Sequence, residues 1–176
     1  MRFLKTDLSG VVRVILEPHE DLRGSFARVY CPMEFAQAGL SDFTPVQINL
    51  SHNPAQHTLR GMHWHNPPYA EAKLIRVTRG AAWDVAVDLR PESPTRLRWI
   101  ATRLDAESAE ALFIPEGFAH GFLTLEPDTD VLYQMGRTYE PGHECGARWN
   151  DPAFSIDWPA HPAVISDRDR TYPDFV

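Results

Sequence analysis

The densest concentration of chemically capable side chains is the run Arg60-Gly61-Met62-His63-Trp64-His65, with two histidines set two apart. On an extended strand, side chains two apart project to the same side. Plain alternation therefore puts His63 and His65 on one face and Arg60, Met62 and Trp64 on the other. Two imidazoles aimed one way suit either metal ligation or acid–base chemistry; equally, one can be a hydrogen-bonded structural histidine while the other meets solvent. A second cluster, Pro115-Glu116-Gly117-Phe118-Ala119-His120, is a turn feeding a strand that opens on a further histidine. His52, His57, His143 and His161 stand in turn-like surroundings and read as surface residues.

The Pro-x-Gly-x-x-His spacing ending at His120 resembles the second motif of the cupin family, and Gly61-Met62-His63-Trp64-His65 resembles part of the first. Metal-binding cupins complete their site with a glutamate seven residues before a turn glycine, and seven before Gly80 this chain has Lys73. An ammonium has no lone pair to give and repels a divalent cation, so Lys73 argues against a metal. Glu71 is the alternative ligand, but it lies two residues from Lys73 on the same expected face, where it could equally pair with that lysine. Without metal, histidine and lysine in a water-poor site can move a carbon-bound proton: the imidazole abstracts it and the ammonium stabilises the enolate oxygen that results. Protons next to a ketone are acidic enough, which points to isomerisation or epimerisation α to a carbonyl.

Short β-rich stretches must carry these residues. Prolines and glycines punctuate runs rich in Val, Ile, Phe, Trp and Thr, the pattern of an all-β domain with many short strands. In Trp83–Leu89 the residues Trp83, Val85, Val87 and Leu89 share one face while Asp84 and Asp88 share the other, which reads as a half-buried strand. Leu74–Thr78, Arg98–Arg103 and Val131–Met135 read as further strands. One helix is predicted over Pro32–Gly39, with proline at its start, glycine at its exit and an apolar stripe of Met33, Phe35 and Ala36. A two-sheet cupin jelly roll (double-stranded β-helix) with few short helices is the first expectation, a lipocalin-like barrel the second.

Over nearly its whole length the chain resembles the dTDP-4-dehydrorhamnose 3,5-epimerase family. The likeness is carried by Leu16-Glu17-Pro18, Asp21–Phe26, Gln47-Ile48-Asn49, Leu59–His63, Lys73–Val77, Trp83–Arg90, Glu92–Thr95, Ile114–Phe122, Val131-Leu132-Tyr133, Trp149–Pro152 and Ile156–Pro159. The resemblance implies a cupin jelly roll, a homodimer, a nucleotide-diphosphate 4-keto-sugar as substrate and no metal or redox cofactor. Carried over by motif, it implies His63 as base, Lys73 as stabiliser of the enolate and Tyr133 as proton donor from the opposite face. Asp169, in Ser166-Asp167-Arg168-Asp169, is implied as the carboxylate that orients His63. Arg23, Gln47, Asn49, Arg60 and His120 match positions that hold the pyrophosphate, the sugar and neighbouring groups; Tyr139 and Glu144 are further implied contacts. Three departures bear on the substrate. Arg28 stands where a glutamate is usual near the nucleoside end, His63-Trp64-His65 replaces His-Phe-Gln, and Thr138-Tyr139 keeps only the second of two tyrosines.

Bulk properties bound the possibilities. At 176 residues, with 43% hydrophobic and 23% charged residues, the chain fits one soluble domain over 1–176 that needs no disulfide or structural metal. No apolar run approaches the roughly 18 residues of a membrane span. Charges at Arg2, Lys5 and Asp7 fall where a secretion signal has its apolar core, so a cytoplasmic location is expected. A net charge of −7 argues against nucleic acid as a partner, while a few local arginines suffice for a small phosphorylated ligand. Cys31 and Cys145 show no metal or redox spacing and read as reduced structural residues.

Overall fold

The computed structural model describes residues 1–176. Its elements follow in the order β1 (Arg2–Lys5), β2 (Val12–Ile15), β3 (His19–Asp21), β4 (Gly24–Phe26), α1 (Pro32–Gln37), β5 (Gln47–Asn53), β6 (Thr58–His65), β7 (Lys73–Arg79) and β8 (Ala81–Asp88). Then come β9 (Trp99–Asp105), β10 (Ala111–Ile114), β11 (Phe118–Thr124), β12 (Thr129–Met135), β13 (Glu144–Gly146), β14 (Val164–Ile165) and α2 (Asp167–Thr171). One sheet is ordered β1-β2-β10-β7-β12-β5, the other β13-β6-β11-β8-β9, with β14 lying parallel to the start of β6. Strands β3 and β4 form a separate hairpin. Neighbours distant in sequence, β2 beside β10 and β12 beside β7, are those of a jelly roll and exclude an up-and-down barrel.

The sheets close on one core, in which Ile75, Val77, Leu112 and Val131 of the first meet Ala86, Leu104, Phe118 and Phe122 of the second. Outside the first sheet, α1 inserts Phe35 among Phe3, Tyr30, Phe43 and Phe113. The expected apolar stripe shrinks to that residue, because Met33 is exposed.

Strand β8 corrects the half-buried expectation. Trp83, Val85 and Val87 do share a face, but residues of the C-terminal segment, Ala147, Phe154, Ile156 and Trp158, cover it. The opposite face, carrying Ala82 and Ala86 as well as the aspartates, points between the sheets. Asp84 and Asp88 are fully buried there. Alternation took a polar face for a wet one, since a sequence does not distinguish water from a buried partner. Asp88 accepts from Arg90, Ser93 and Thr95. Burial opposes its charge, but these donors outweigh burial and hold its pKa at about 2.

Strand β6 departs from alternation as well. His120 lies opposite His63 and Phe122 opposite Arg60, so three steps along β6 match two along β11, which is a β-bulge. Gly61 sits in the bulge at φ +132°, and a Cβ there would lie 2.6 Å from the Gly121 Cα, so only glycine fits. Met62 and Trp64 turn outward into the cluster under the C-terminal segment. Arg60, expected on their side, comes instead to the face of His63.

Candidate active site

A cavity of about 750 Å³ is walled by residues of both sheets and closed by the C-terminal segment. Strand β6 supplies Arg60 and His63, β5 supplies Asn49 and Ser51, and β12 supplies Tyr133. Asn49 and Tyr133 are direct partners in the β5–β12 ladder and so share a face. Tyr139, Ser166, Arg168 and Asp169 complete the wall.

Asp169 is delivered by α2, whose start is a side-chain cap: Ser166 Oγ accepts from the Asp169 N–H at 3.0 Å. Asp169 Oδ1 is 2.8 Å from His63 Nε2, and its Oδ2 accepts from the bulge N–H of Gly61 at 3.2 Å. Burial opposes the charge, but His63, Gly61 and Ser166 overcome it and hold the Asp169 pKa below the usual carboxylate range. A carboxylate accepting at Nε2 keeps the proton on that nitrogen and leaves Nδ1 with a free lone pair. The imidazole is thereby set up as an oriented base.

Tyr133 comes from the other sheet. Burial first, and the negative charges of Asp84 and Asp169 besides, push its phenol far above the ordinary value, against a smaller opposite effect of Arg60. The hydroxyl keeps its proton at any physiological pH, so it can donate but not abstract. His120 is buried behind the wall, with Nε2 2.9 Å from Asp84 Oδ2 and its ring edge-on to Tyr133 at 5.8 Å between centroids.

The structure thus brings Asn49, Arg60, His63, Tyr133, Tyr139 and Asp169 to one cavity, and leaves Arg23, Gln47, Lys73, His120 and Glu144 off its wall. Gln47 and Glu144 act on the wall from behind: Gln47 Oε1 accepts from the Tyr139 N–H at 2.9 Å, and Glu144 accepts from the Tyr139 hydroxyl. Lys73 is buried and donates to Glu71. Arg23 stands on the exposed β3–β4 turn, paired with Asp21. Ser51 and Arg168 are wall residues the motifs did not single out; Ser51 lies one ladder step from Asn49 on the same face, and Arg168 lies inside the Ser166–Asp169 motif. The donors do not suit a metal ion: Glu71 is taken by Lys73, and no three His, Cys, Asp or Glu side chains are grouped to hold one.

Residues 5–176 match the family described as dTDP-4-dehydrorhamnose 3,5-epimerase. A Sinorhizobium fredii dTDP-4-dehydrorhamnose 3,5-epimerase is 41% identical over 98% of this chain and 89% of its own length. A Streptomyces niveus dTDP-4-dehydrorhamnose 3-epimerase is 36% identical over 97% of this chain and 82% of its own. Among solved structures, a Bacillus anthracis dTDP-4-dehydrorhamnose 3,5-epimerase with TDP and PPi bound superposes with a TM-score of 0.95, at 36% identity and 99% coverage of both chains. With a jelly roll that agrees so closely over its full length, and a sequence match spanning all but the first four residues, this chain belongs to the dTDP-4-dehydrorhamnose 3,5-epimerase family.

Proposed function

We propose that this isomerase epimerises a dTDP-4-keto-6-deoxyhexose at carbon next to the ketone, by metal-free proton transfer between His63 and Tyr133. His63 Nδ1 takes the proton from the carbon, and the electrons of the C–H bond pass to the carbonyl oxygen as an enolate. Asp169 stabilises the imidazolium so formed. Tyr133 then delivers a proton to the opposite face of the same carbon, and exchange with solvent returns His63 and Tyr133 to their starting states. The observation that carries the assignment is an oriented base on one sheet and a phenol that holds its proton on the other, lining one cavity. Lys73 meets the enolate oxygen in this scheme. Arg60, Arg168, Asn49 and Ser51 hold the diphosphate and sugar, guanidinium groups being suited to bidentate phosphate contact.

Residues 1–176 act as one domain and the working unit is a homodimer, in the cytoplasm. Support for the dimer comes from the apolar residues left in solvent. Ile48 and Leu50, at 60% and 61% exposure, lie on the edge strand β5, and Leu22 and Phe26 stand free on the β3–β4 hairpin. Arg23 on that hairpin does not line the cavity of its own chain. No helix is long and apolar enough to cross a membrane.

Incubation with dTDP-4-keto-6-deoxyglucose in deuterated water, read by NMR at C3 and C5 separately, tests the assignment. Deuterium entering at C3, C5 or both is expected, and the pattern distinguishes a double epimerase from a single one. Absence of exchange at both carbons would count decisively against it.

A further inference from the structure

Off the cavity wall lies a buried cluster of which the proton-transfer scheme uses Lys73 alone, leaving Glu71 and His65 without a part. Glu71 is shared between two neighbours: Lys73 Nζ donates to Oε1, and Oε2 lies 2.7 Å from His65 Nδ1. The side chains of Glu71, Lys73 and His65 are 6%, 8% and 12% exposed. The contact with His65 is at ion-pair distance but is not aligned as a hydrogen bond, and neither ring nitrogen of His65 has a hydrogen-bond partner. Other groups facing this imidazole are Tyr139, edge-on at 6.1 Å between centroids, and Glu144 of β13, opposite His65 in the ladder and itself 3.7 Å from Arg168. His63 lies two positions back on the same strand.

One carboxylate therefore serves two groups that can each carry a positive charge. With Lys73 charged and His65 neutral, the three sum to zero; with His65 protonated, they sum to +1. A buried carboxylate stripped of its cation is strongly disfavoured. Lys73 can leave Glu71 for the cavity when another cation takes its place, and His65 already stands at that carboxylate. Lys73 shares the inward face of β7 with Ile75, and Ile75 is the ladder partner of Tyr133, so the ammonium starts one ladder step from the donor phenol.

We infer that His65 is a positioning residue for Lys73: a proton on His65 gives Glu71 a replacement cation and releases the ammonium toward an oxyanion formed in the cavity. The inference rests on the epimerase assignment, in which Lys73 meets the enolate oxygen. Glutamine at this position could donate to Glu71 but could not supply a charge, so His65→Gln separates the two roles.

The first test needs no substrate. Ring resonances of His65 are titrated by NMR in the full chain, with circular dichroism confirming the fold of each variant. Removing the competing cation with Lys73→Met should raise the His65 midpoint, and removing the carboxylate with Glu71→Gln should lower it. Lys73→Arg, which keeps the charge, should leave it near wild type. The second test is the pH profile of turnover on dTDP-4-keto-6-deoxyglucose. In wild type kcat should fall as pH rises through the His65 titration; in His65→Gln that fall should disappear, with KM changed less than about twofold. An unchanged His65 midpoint in a folded Lys73→Met protein overturns the inference whatever the activity. Wild-type protein that shows the coupling but does not turn over the keto-sugar overturns the epimerase assignment instead.

Discussion

Asp169→Asn is a sharp perturbation, because it keeps the volume and removes one acceptor and one charge. In the wild type, Oδ1 serves His63 and Oδ2 serves the Gly61 N–H. Asparagine has one acceptor oxygen, so its amide N–H₂ must face one of these two partners. Turned toward His63, it forces the lone pair onto Nε2 and the proton onto Nδ1, the wrong tautomer for a base facing the cavity. Turned toward Gly61, it sets donor against donor in the bulge and leaves a buried N–H without a partner, at a cost of about 1–3 kcal/mol. Either way the charge-assisted hydrogen bond to the imidazolium is lost, worth about 1.5–3 kcal/mol. That converts to roughly a 10- to 150-fold slower proton abstraction. The assay is solvent deuterium uptake into the keto-sugar followed by NMR, with a thermal melt beside it. A bulge penalty of about 1–3 kcal/mol should lower Tm by about 2–12 °C for a chain of this size. His63→Ala should lose more activity, roughly 10²- to 10⁴-fold, with little change in Tm. Wild-type exchange in Asp169→Asn, with an unchanged pH profile, would show that the carboxylate neither orients nor supports the base.

Three further outcomes are expected. Tyr133→Phe should still exchange protons through His63 but return them to the face they left, so inversion falls much further than deuterium uptake; equal rates of the two in the variant would put the donor elsewhere, with Tyr139 the next candidate. Gly61→Ala places a Cβ 2.6 Å from Gly121 Cα and 3.0 Å from the His120 carbonyl oxygen at a φ of +132°. Backbone strain of this kind alone costs about 1–3 kcal/mol, so Tm should drop by several degrees and activity with it, since the bulge turns Arg60 toward the cavity; a melt identical to wild type refutes the packing. Asp88, held at about pKa 2, contributes stability that is complete above the unfolded carboxylate value near 4 and is lost as pH falls toward 2. Asp88→Asn should therefore flatten the acid limb of a stability-against-pH curve between pH 4 and 2, and an unchanged limb would show that Arg90, Ser93 and Thr95 do not hold the charge.

Much of this protein is legible in its sequence because the determinants are local or carried by motif. Turn residues between short apolar runs define an all-β chain, and the proline at the start of α1 marks that helix. Ser166 three residues before Asp169 is a helix-start signal, and the structure has a capped helix there. His63, Tyr133 and Asp169, far apart in the chain, could be named together through family resemblance alone, because nothing in composition or periodicity connects them.

What only the tertiary structure decided is which way side chains face and what partners they find. Strict alternation put Arg60 opposite His63, and a bulge that depends on the contact between Gly61 and Gly121, 60 residues apart, reversed it. The aspartates of β8 looked solvated because alternation does not show that Asp84 meets His120 of β11 or that the turn after β8 folds Arg90, Ser93 and Thr95 back onto Asp88. Lys73 kept its expected place in the chain but was drawn off the cavity wall by Glu71, which His65 also contacts. Sequence by itself therefore determined the element types, the fold and the identity of the chemical groups. Their facing and burial, and the pairing of His63 with Asp169 and of Asp84 with His120, arise from long-range contacts, which no local pattern encodes.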